Sequence, residues 1–198
     1  MSPDQPPPLE LRLAGYCPRR VVARPAFLDD APSVVDICSV SRCINESPTG
    51  WIDHWLHNEL GFFDTPDLAR QVIPPAEDGF TVFAYRVGTV RFDAGRPEVW
   101  TWPEIDPEER AGYRSLGFDV VGKTDLGTLA FEHSPLSCNG IAAEYPVNAH
   151  CLLDDLAVAI EAAEQFSIEQ PEPGMYYVVE VLVAPQTPES ISSIRSRS

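Results

Sequence analysis

The sequence predicts a single α+β domain with a mixed or mainly antiparallel central sheet and flanking helices. Two segments, GFTVFAYRVGTVRF at 79–92 and MYYVVEVLV at 175–183, are apolar on both alternating faces, which is typical of strands covered on both sides. DDLAVAIEAAEQFS at 154–167 has the spacing of an amphipathic helix. Because strands and helices do not alternate regularly, a parallel α/β sheet is not indicated.

Two helices are predicted before the first of these strands. In SPTGWIDHWLHNELG, Ser47 is suited to the N-cap, Pro48 to the first turn and Gly61 to the end of a helix. Thr65 and Pro66 repeat this pattern in a second helix, which stops before Pro74. The apolar stripe of the first helix consists of Trp51, Ile52, Trp55 and Leu56.

Between residues 91 and 133 the sequence predicts a loop, a short helix and a hairpin. Residues 91–105 read as a loop that exposes two tryptophans, and 106–117 read as a short helix with Asp106 at its cap and Glu109 completing a capping box. Residues 118–133 predict a hairpin turning near Asp125 and Gly127. The helix at 154–167 should bury Leu156, Ala159, Ile160, Ala163 and Phe166. No internal repeat is evident.

The domain is expected to span residues 9–184. Residues 1–8 are rich in proline and residues 185–198 are rich in serine and arginine, so neither offers an apolar face and both are expected to be disordered.

Charge and cysteine content restrict the function. With 14 Lys and Arg against 30 Asp and Glu, the formal charge is −16, which argues against nucleic-acid binding and suits a basic protein partner. The alternative is that this charge serves only solubility. No apolar run approaches the roughly 20 residues of a membrane span, and no signal peptide is evident. Five cysteines without a C-x-x-C pair predict free thiols in a reducing cytoplasm.

Arg86 and Glu180 are charged residues inside strands that otherwise look buried. A lone charge in such a strand is costly, so each requires a partner or a cavity. The two side chains could pair across the sheet, either could reach solvent at a strand end, or both could line a ligand site.

The order of an Arg on an early core strand, a serine stretch and a Glu on a late strand resembles the Arg–Ser–Glu plan of ADP-ribosyltransferase-like domains. The helix-then-strand unit CLLDDLAVAIEAAEQF…GMYYVVEVLV, within 151–183, is the most similar part. The resemblance implies that Arg86 holds NAD phosphates, that Ser134 or Ser137 orients the site, and that Glu180 stabilises the developing ribosyl cation.

A thiol site is a third hypothesis. Cys138 lies in the polar loop SPLSCNG, with His133 before it and His150 beyond, and a neighbouring imidazole can activate a thiolate. Cys151 instead reads as a small buried apolar residue. The loop is predicted to pack against the domain and to border a cleft containing His133 or Glu132.

Asp53, His54 and His57 have helical spacing that could present metal ligands. A third ligand, from His133, Cys138 or His150, would have to arrive through the fold. The alternative is that these groups form the solvated side of a helix, and we expect no metal site.

The leading interpretation is therefore a non-catalytic cytoplasmic domain, of inhibitor or immunity type, that binds a basic protein through an acidic or aromatic face and needs no cofactor. An NAD-using ADP-ribosyltransferase-like enzyme and a thiol enzyme using Cys138 are the alternatives.

Overall fold

The structure, a computed structural model, describes residues 8–50, 56–124, 131 and 133–184. Its strands are β1 (Leu11–Arg20), β2 (Val22–Ala23), β3 (Asp36–Ile37), β4 (Phe80–Asp93), β5 (Arg96–Val99), β6 (Arg114–Lys123) and β7 (Met175–Val183). Its α-helices are α1 (Pro66–Gln71), α2 (Pro135–Cys138) and α3 (Leu156–Glu169).

The central sheet confirms the predicted α+β class. Its strand order is β1-β4-β7-β6, with β5 paired to β4, and every pairing in it is antiparallel. The short strands β2 and β3 form a separate antiparallel pair. No helix within the described ranges is long and apolar enough to cross a membrane.

The elements with the strongest sequence signals form as predicted. β4 and β7 occupy the centre of the sheet. Thr65 caps α1 by accepting a hydrogen bond from the Leu68 backbone N–H, and Asp155 caps α3 in the same way. Within α3 the fully buried residues are Ala159, Ala162, Ala163, Phe166 and Ser167. Leu156 and Ile160, which were expected in this stripe, are half-buried.

The predicted helix over 47–61 is wrong in its described parts, 47–50 and 56–61, which are turns and loop. Asn58 explains the second part, because its side-chain oxygen accepts from the backbone N–H groups of Leu60 and Phe62. Such a local turn competes with helical hydrogen bonding. Residues 51–55, with Trp51 and His54, lie outside the described residues.

The helix predicted over 106–117 is also wrong. Residues 103–110 have no helical hydrogen bonds, and the Glu108 backbone N–H instead donates to the Asp64 carbonyl at 2.8 Å. From Arg114 onward the chain belongs to β6. The expected loop at 91–105 contains the β4–β5 hairpin, and Trp100 is half-buried, with its indole N–H donating to the Gly88 carbonyl.

The sheet has two unlike faces. α1 and α3 cover one face, α1 over the end of β4 that carries Val82 and Ala84, and α3 over β6 and β7. Loop residues cover the other face around Tyr85; they include Cys38, Val40, Phe62, Trp100, Phe131 and Leu152. The core therefore lies on both sides of β4 and β7, which explains why their sequences are apolar on both faces.

The two halves of the domain repeat the same motif, which was not evident in the sequence. β1 and β6 each contain a bulge at a glycine of φ +133°, Gly15 and Gly117. Each glycine faces a loop held by an asparagine. Asn58 donates to the Ala14 and Asp64 oxygens, and Asn148 donates to the Leu116 and Asp154 oxygens. Each loop then leads into a capped helix and a central strand.

A pseudo-two-fold axis relates the halves. Gly15 pairs with Tyr85, Gly117 pairs with Val181, and Tyr85 and Val181 are paired with each other between β4 and β7. The flanking β4–β7 pairs are Arg86 with Glu180 and Ala84 with Leu182. α1 and α3 are therefore equivalent elements on the same face of the sheet.

Three further predictions fall wholly or partly outside the described residues. They are the disordered N-terminus at 1–8, of which only residue 8 is described, the C-terminal tail at 185–198, and the hairpin turn near Asp125 and Gly127. Residues 118–124, 131 and 133 of that hairpin are described. Gly122 bridges His133, with the Gly122 backbone N–H donating to the His133 carbonyl at 2.7 Å.

Candidate functional site

The loop SPLSCNG is held against the body of the domain. It forms α2, and Pro135, Leu136 and Ser137 are buried. Ser134 donates its hydroxyl to Asp119 Oδ1 at 2.6 Å, and Ser39 donates to Asp119 Oδ2 at the same distance. These bonds join α2 and the 38–45 segment to β6.

Asp119 is fully buried, and this burial raises the pKa of its carboxyl to about 6. Hydrogen bonds from Ser134, Ser39 and the backbone oppose the shift because they stabilise the carboxylate. With these partners the network satisfies both carboxylate oxygens, so Asp119 serves to connect buried segments.

Cys138 is bonded to Cys43 by a disulfide that spans 95 residues of sequence, with the two Cα atoms 6.5 Å apart. The prediction of five free thiols is therefore wrong for these two cysteines; Cys17, Cys38 and Cys151 are free and buried. A disulfide sulfur has no thiolate to act as a nucleophile, so the structure does not support a thiol enzyme that uses Cys138. The spacing of the cysteines did not predict this disulfide, because its two partners are 95 residues apart in the sequence.

The other residues proposed for the loop site do not converge. His133 bridges Gly122 and lies 4.0 Å from Glu172, measured from Nδ1 to the carboxylate oxygen. Ser137 is fully buried, with its hydroxyl 3.8 Å from the sulfur of Cys138. Glu132 lies outside the described residues.

Arg86 and Glu180 pair across the two central strands. Arg86 Nη1 lies 3.4 Å from Glu180 Oε2, and Arg86 Nη2 lies 3.1 Å from Glu109 Oε1. The Glu180 side chain is 12% exposed and the Arg86 side chain 37%, so solvent reaches the arginine more readily. Arg86 borders an open cleft of about 390 Å³ together with Glu109, Arg110, Ala111, Gly112, Tyr113 and Leu182.

Ser134 lies on the opposite side of the sheet from this pair. Its partner Asp119 is paired with Val179, and neighbouring residues of a strand point to opposite faces. Asp119 therefore shares the face of Val179, whereas Glu180 and Arg86 share the helix-covered face. Arg86, Ser134 and Glu180 do not line one cleft.

Asp36, Cys38 and His150 place three metal-binding atoms within 4.8 Å of one another. His150 Nδ1 lies 2.8 Å from Asp36 Oδ1 and 3.9 Å from Cys38 Sγ, and the sulfur lies 3.5 Å from Asp36 Oδ1. Of this cluster, only His150 was a candidate from the sequence; Asp36 and Cys38 were missed. Their i, i+2 spacing in DIC was the available signal, although more than 110 residues separate them from His150.

This cluster lacks the geometry of a nucleophilic thiol. Cys38 and Asp36 both approach the same ring nitrogen of His150, whereas a catalytic imidazole contacts its thiol and its carboxylate through different nitrogens. Burial raises the pKa of the Cys38 thiol, and the charge of Asp36 and the hydrogen bond to it raise the pKa further. The neutral thiol is therefore favoured.

Of the residues considered as metal ligands at 53–57, only His57 is described. The His57 ring lies against Phe63 with the ring centroids 4.6 Å apart, and His57 bridges Phe63 through its backbone. Asp53 and His54 lie outside the described residues. Among the residues that the structure describes, His57 is not part of the group of converging metal ligands.

The outer face of α3 is acidic. Glu161, Glu164 and Glu169 are exposed, Asp154 and Asp155 precede the helix, and the sequence of α3 contains neither Lys nor Arg. Within the described ranges, none of the three glutamates forms an ion pair with an arginine or lysine. Glu169 and Glu144 both raise the pKa of Tyr145, after the larger effect of burial, so the acidic surface continues past the helix.

The equivalent surface on α1 is charge-balanced. Asp67 forms ion pairs with Arg70 at 2.7 Å and with Arg110 at 2.9 Å. Since α1 and α3 occupy equivalent positions, the shared fold does not account for the excess of carboxylates on α3.

An open depression of about 750 Å³ adjoins the end of α3. Ile168 lines it and is 58% exposed, which places an apolar side chain next to the acidic face. The other lining residues are Arg91, Asp93, Ala94, Lys123, Thr124, Ser167, Gln170, Gly174 and Met175.

Comparison with protein-family models, with curated proteins and with solved structures found no match. The function is therefore inferred from the residues and their geometry.

Proposed function

We propose that this protein is a non-catalytic binding domain of inhibitor or immunity type, which engages a basic protein through the outer face of α3. The observation that carries the proposal is the set of exposed glutamates Glu161, Glu164 and Glu169 on a helix without a basic residue. Opposite charge on a partner would attract such a face and accelerate association.

The charge pattern of α3 does not serve the stability of the helix. Cations are favoured near a helix C-terminus, where the helix dipole is negative, yet the last turn of α3 contains Glu169 and no basic residue. Glu161 and Glu164 also have no cation within α3 to form an i, i+4 pair. A surface that lowers helix stability in this way is consistent with selection for a charged partner.

Ile168 supports an interface at the same place. Protein interfaces combine an apolar centre with a polar rim, and an exposed isoleucine beside three glutamates has this arrangement. The adjoining depression offers a concave surface into which a partner side chain could fit.

The resemblance to ADP-ribosyltransferase-like domains stays a prediction, with NAD as its cofactor. The sheet lies between Ser134 and the Arg86–Glu180 pair, so Ser134 does not support this alternative. The binding function is therefore preferred.

The test compares two triple variants that change the formal charge equally, from −16 to −13. The first replaces Glu161, Glu164 and Glu169 by Gln. The matched control, Glu59→Gln, Asp78→Asn and Glu104→Gln, neutralises exposed carboxylates elsewhere. Proteins captured by the wild-type chain are identified, purified and measured for association rate from low to high salt.

The wild type is expected to bind a basic protein whose association rate falls about tenfold or more as salt is raised. The α3 triple variant should associate several-fold more slowly at low salt, while the control triple variant keeps most of the wild-type rate. Equal losses in both triple variants would show that overall charge, and not the α3 face, determines binding. An association rate that does not change with salt would contradict electrostatic recognition altogether.

A further inference from the structure

We propose that Asp36, Cys38 and His150 form a binding site for a zinc-class divalent metal ion, with three protein ligands and one position open to solvent. This site is separate from the α3 face and goes beyond the proposed binding function.

The chemistry of the three ligands is selective. A thiolate, an imidazole nitrogen and a carboxylate oxygen are the set that Zn²⁺ uses, whereas Mg²⁺ and Ca²⁺ prefer oxygen ligands alone. Cys38 supplies the soft ligand, and its thiol releases a proton to solvent as the ion binds, so affinity rises with pH. The soft sulfur favours zinc and its close relatives over the hard cations.

The distances fit a tetrahedral ion. Metal–ligand bonds of about 2.0 Å to nitrogen and oxygen and about 2.3 Å to sulfur place tetrahedral ligands roughly 3.3–3.6 Å apart. The three observed separations between ligand atoms are 2.8, 3.5 and 3.9 Å. Each therefore needs to change by no more than about half an ångström, which small side-chain rotations provide.

The backbone holds the ligands in place. Asp36 is in β3 and Cys38 follows it by two residues, with the Cys38 sulfur 3.5 Å from Asp36 Oδ1. Ile37, between them, packs into the helix-side core, whereas Cys38 belongs to the loop layer on the other face of the sheet. The turn that carries His150 is hydrogen-bonded to this segment. The Ala149 carbonyl accepts from the Val35 and Asp36 N–H groups, and the His150 carbonyl accepts from the Cys38 N–H.

Asn148 fixes this turn from the other side, since its side-chain oxygen accepts from the His150 N–H at 2.9 Å. A site whose ligands are positioned before binding loses less entropy when the ion arrives. Asn148 also belongs to the repeated motif. The loop motif of the second half therefore positions His150 next to Asp36 and Cys38, which belong to the first half.

The three ligand side chains differ in their exposure to solvent, and this difference suits a metal site with one coordination position open to solvent. Cys38 is buried, whereas the side chains of Asp36 and His150 are 27% and 32% exposed. An ion bound here would be reached from solvent on the carboxylate and imidazole side. Three protein ligands with a fourth position left to water or a partner group is the arrangement of open zinc sites.

The test measures binding of Zn²⁺ by calorimetry and of Co²⁺ by absorbance, using the full chain freed of metal by a chelator and kept without reductant. Cobalt bound to a thiolate gives a charge-transfer band that reports the sulfur ligand directly. The variants are Asp36→Asn, Cys38→Ala and His150→Asn. The matched controls are His133→Asn, which changes another half-exposed histidine beside a carboxylate, and Cys17→Ala, which changes another buried free cysteine.

The wild type and both controls should bind one ion, and each ligand variant should bind at least about tenfold more weakly. Cys38→Ala should also remove the charge-transfer band. No binding of either ion by the wild type would overturn the proposal, as would unchanged affinity in the ligand variants or equal loss in His133→Asn. Thermal unfolding shows whether Cys38→Ala folds. If it does not, the affinities of Asp36→Asn and His150→Asn test the proposal, because these substitutions change partly exposed side chains and should leave the fold intact.

Discussion

Arg86 and Glu180 lie directly opposite each other on the two central strands, with 3.4 Å between Arg86 Nη1 and Glu180 Oε2. The pair occupies the helix-covered face, next to the Tyr85–Val181 pair through which the pseudo-two-fold axis passes. It breaks the symmetry of the repeat, because the positions equivalent to Arg86 and Glu180 are Leu182 and Ala84. The charges at the centre of the sheet therefore satisfy each other.

The pair predicts an asymmetric response to mutation. Arg86→Met leaves the mostly buried Glu180 carboxylate without its cation and should lower the free energy of unfolding by about 2 kcal/mol. Glu180→Gln should cost about 1 kcal/mol, because Arg86 keeps Glu109 and contact with solvent. Urea unfolding of both single variants and the double variant measures this. A larger loss in Glu180→Gln would contradict the assigned burial.

Asp119 should make stability depend on pH. Its pKa of about 6 in the folded protein lies above the unfolded value of about 3.9, so the folded state binds the proton more tightly. This contribution is fully present below about pH 4 and is lost as the pH rises through 6, with a span on the order of 3 kcal/mol.

Urea unfolding at several values between pH 4 and pH 7.5 checks this expectation. Lower pH also reduces repulsion within the acidic chain, so Asp119→Asn is the necessary reference. The stability of wild type relative to Asp119→Asn should rise as the pH falls from 7 to about 4. A difference that stays constant across this window would show that the Asp119 carboxyl titrates alike in both states.

The Cys43–Cys138 disulfide predicts the number of reactive thiols. In denaturant without reductant, three of the five cysteines should react with a thiol reagent, namely Cys17, Cys38 and Cys151. Because the disulfide closes a loop of 95 residues, Cys43→Ser with Cys138→Ser should lower stability by up to about 4–5 kcal/mol. Mass spectrometry after labelling counts the thiols, and five labelled cysteines would contradict the disulfide.

The two bulge glycines should be equally intolerant of a side chain. A Cβ on Gly15 would lie 2.6 Å from the Phe63 carbonyl oxygen, and one on Gly117 would lie 2.7 Å from that of Leu153. Each Ala substitution should cost roughly 2–4 kcal/mol, since a strained φ and a backbone clash combine. Gly79→Ala, at positive φ in open space, should cost about 1 kcal/mol. Similar thermal shifts in all three variants would contradict the repeated motif.

Local sequence signals predicted the elements that determine the fold class. β4 and β7 are long apolar runs, and α1 and α3 begin at recognisable caps, so short-range patterns were sufficient. β1 was not predicted, because Gly15, Pro18 and several arginines interrupt its apolar pattern. The repeat escaped notice because it depends on a few separated positions, such as the glycine of each bulge and the asparagine of each loop.

The candidate sites were less accessible to prediction. Asp36 and Cys38 acquire a shared role only when the turn at His150 reaches them through backbone hydrogen bonds. Cys43 and Cys138 likewise meet only in the fold. The sequence shows that α3 contains several glutamates and no Lys or Arg. Only the structural repeat identifies α1, whose charges are balanced, as the equivalent helix with which α3 can be compared.

The repeat provides the most direct test of binding through α3. A photo-crosslinking residue is placed at Gln165 on the outer face of α3, and in a second protein at Gln71, which is exposed on the equivalent helix α1. Each protein is irradiated in lysate and the cross-linked products are identified by mass spectrometry. The proposed function predicts that a basic protein is cross-linked from position 165 and not from position 71. Equal cross-linking from both positions, or an acidic partner at position 165, would contradict it.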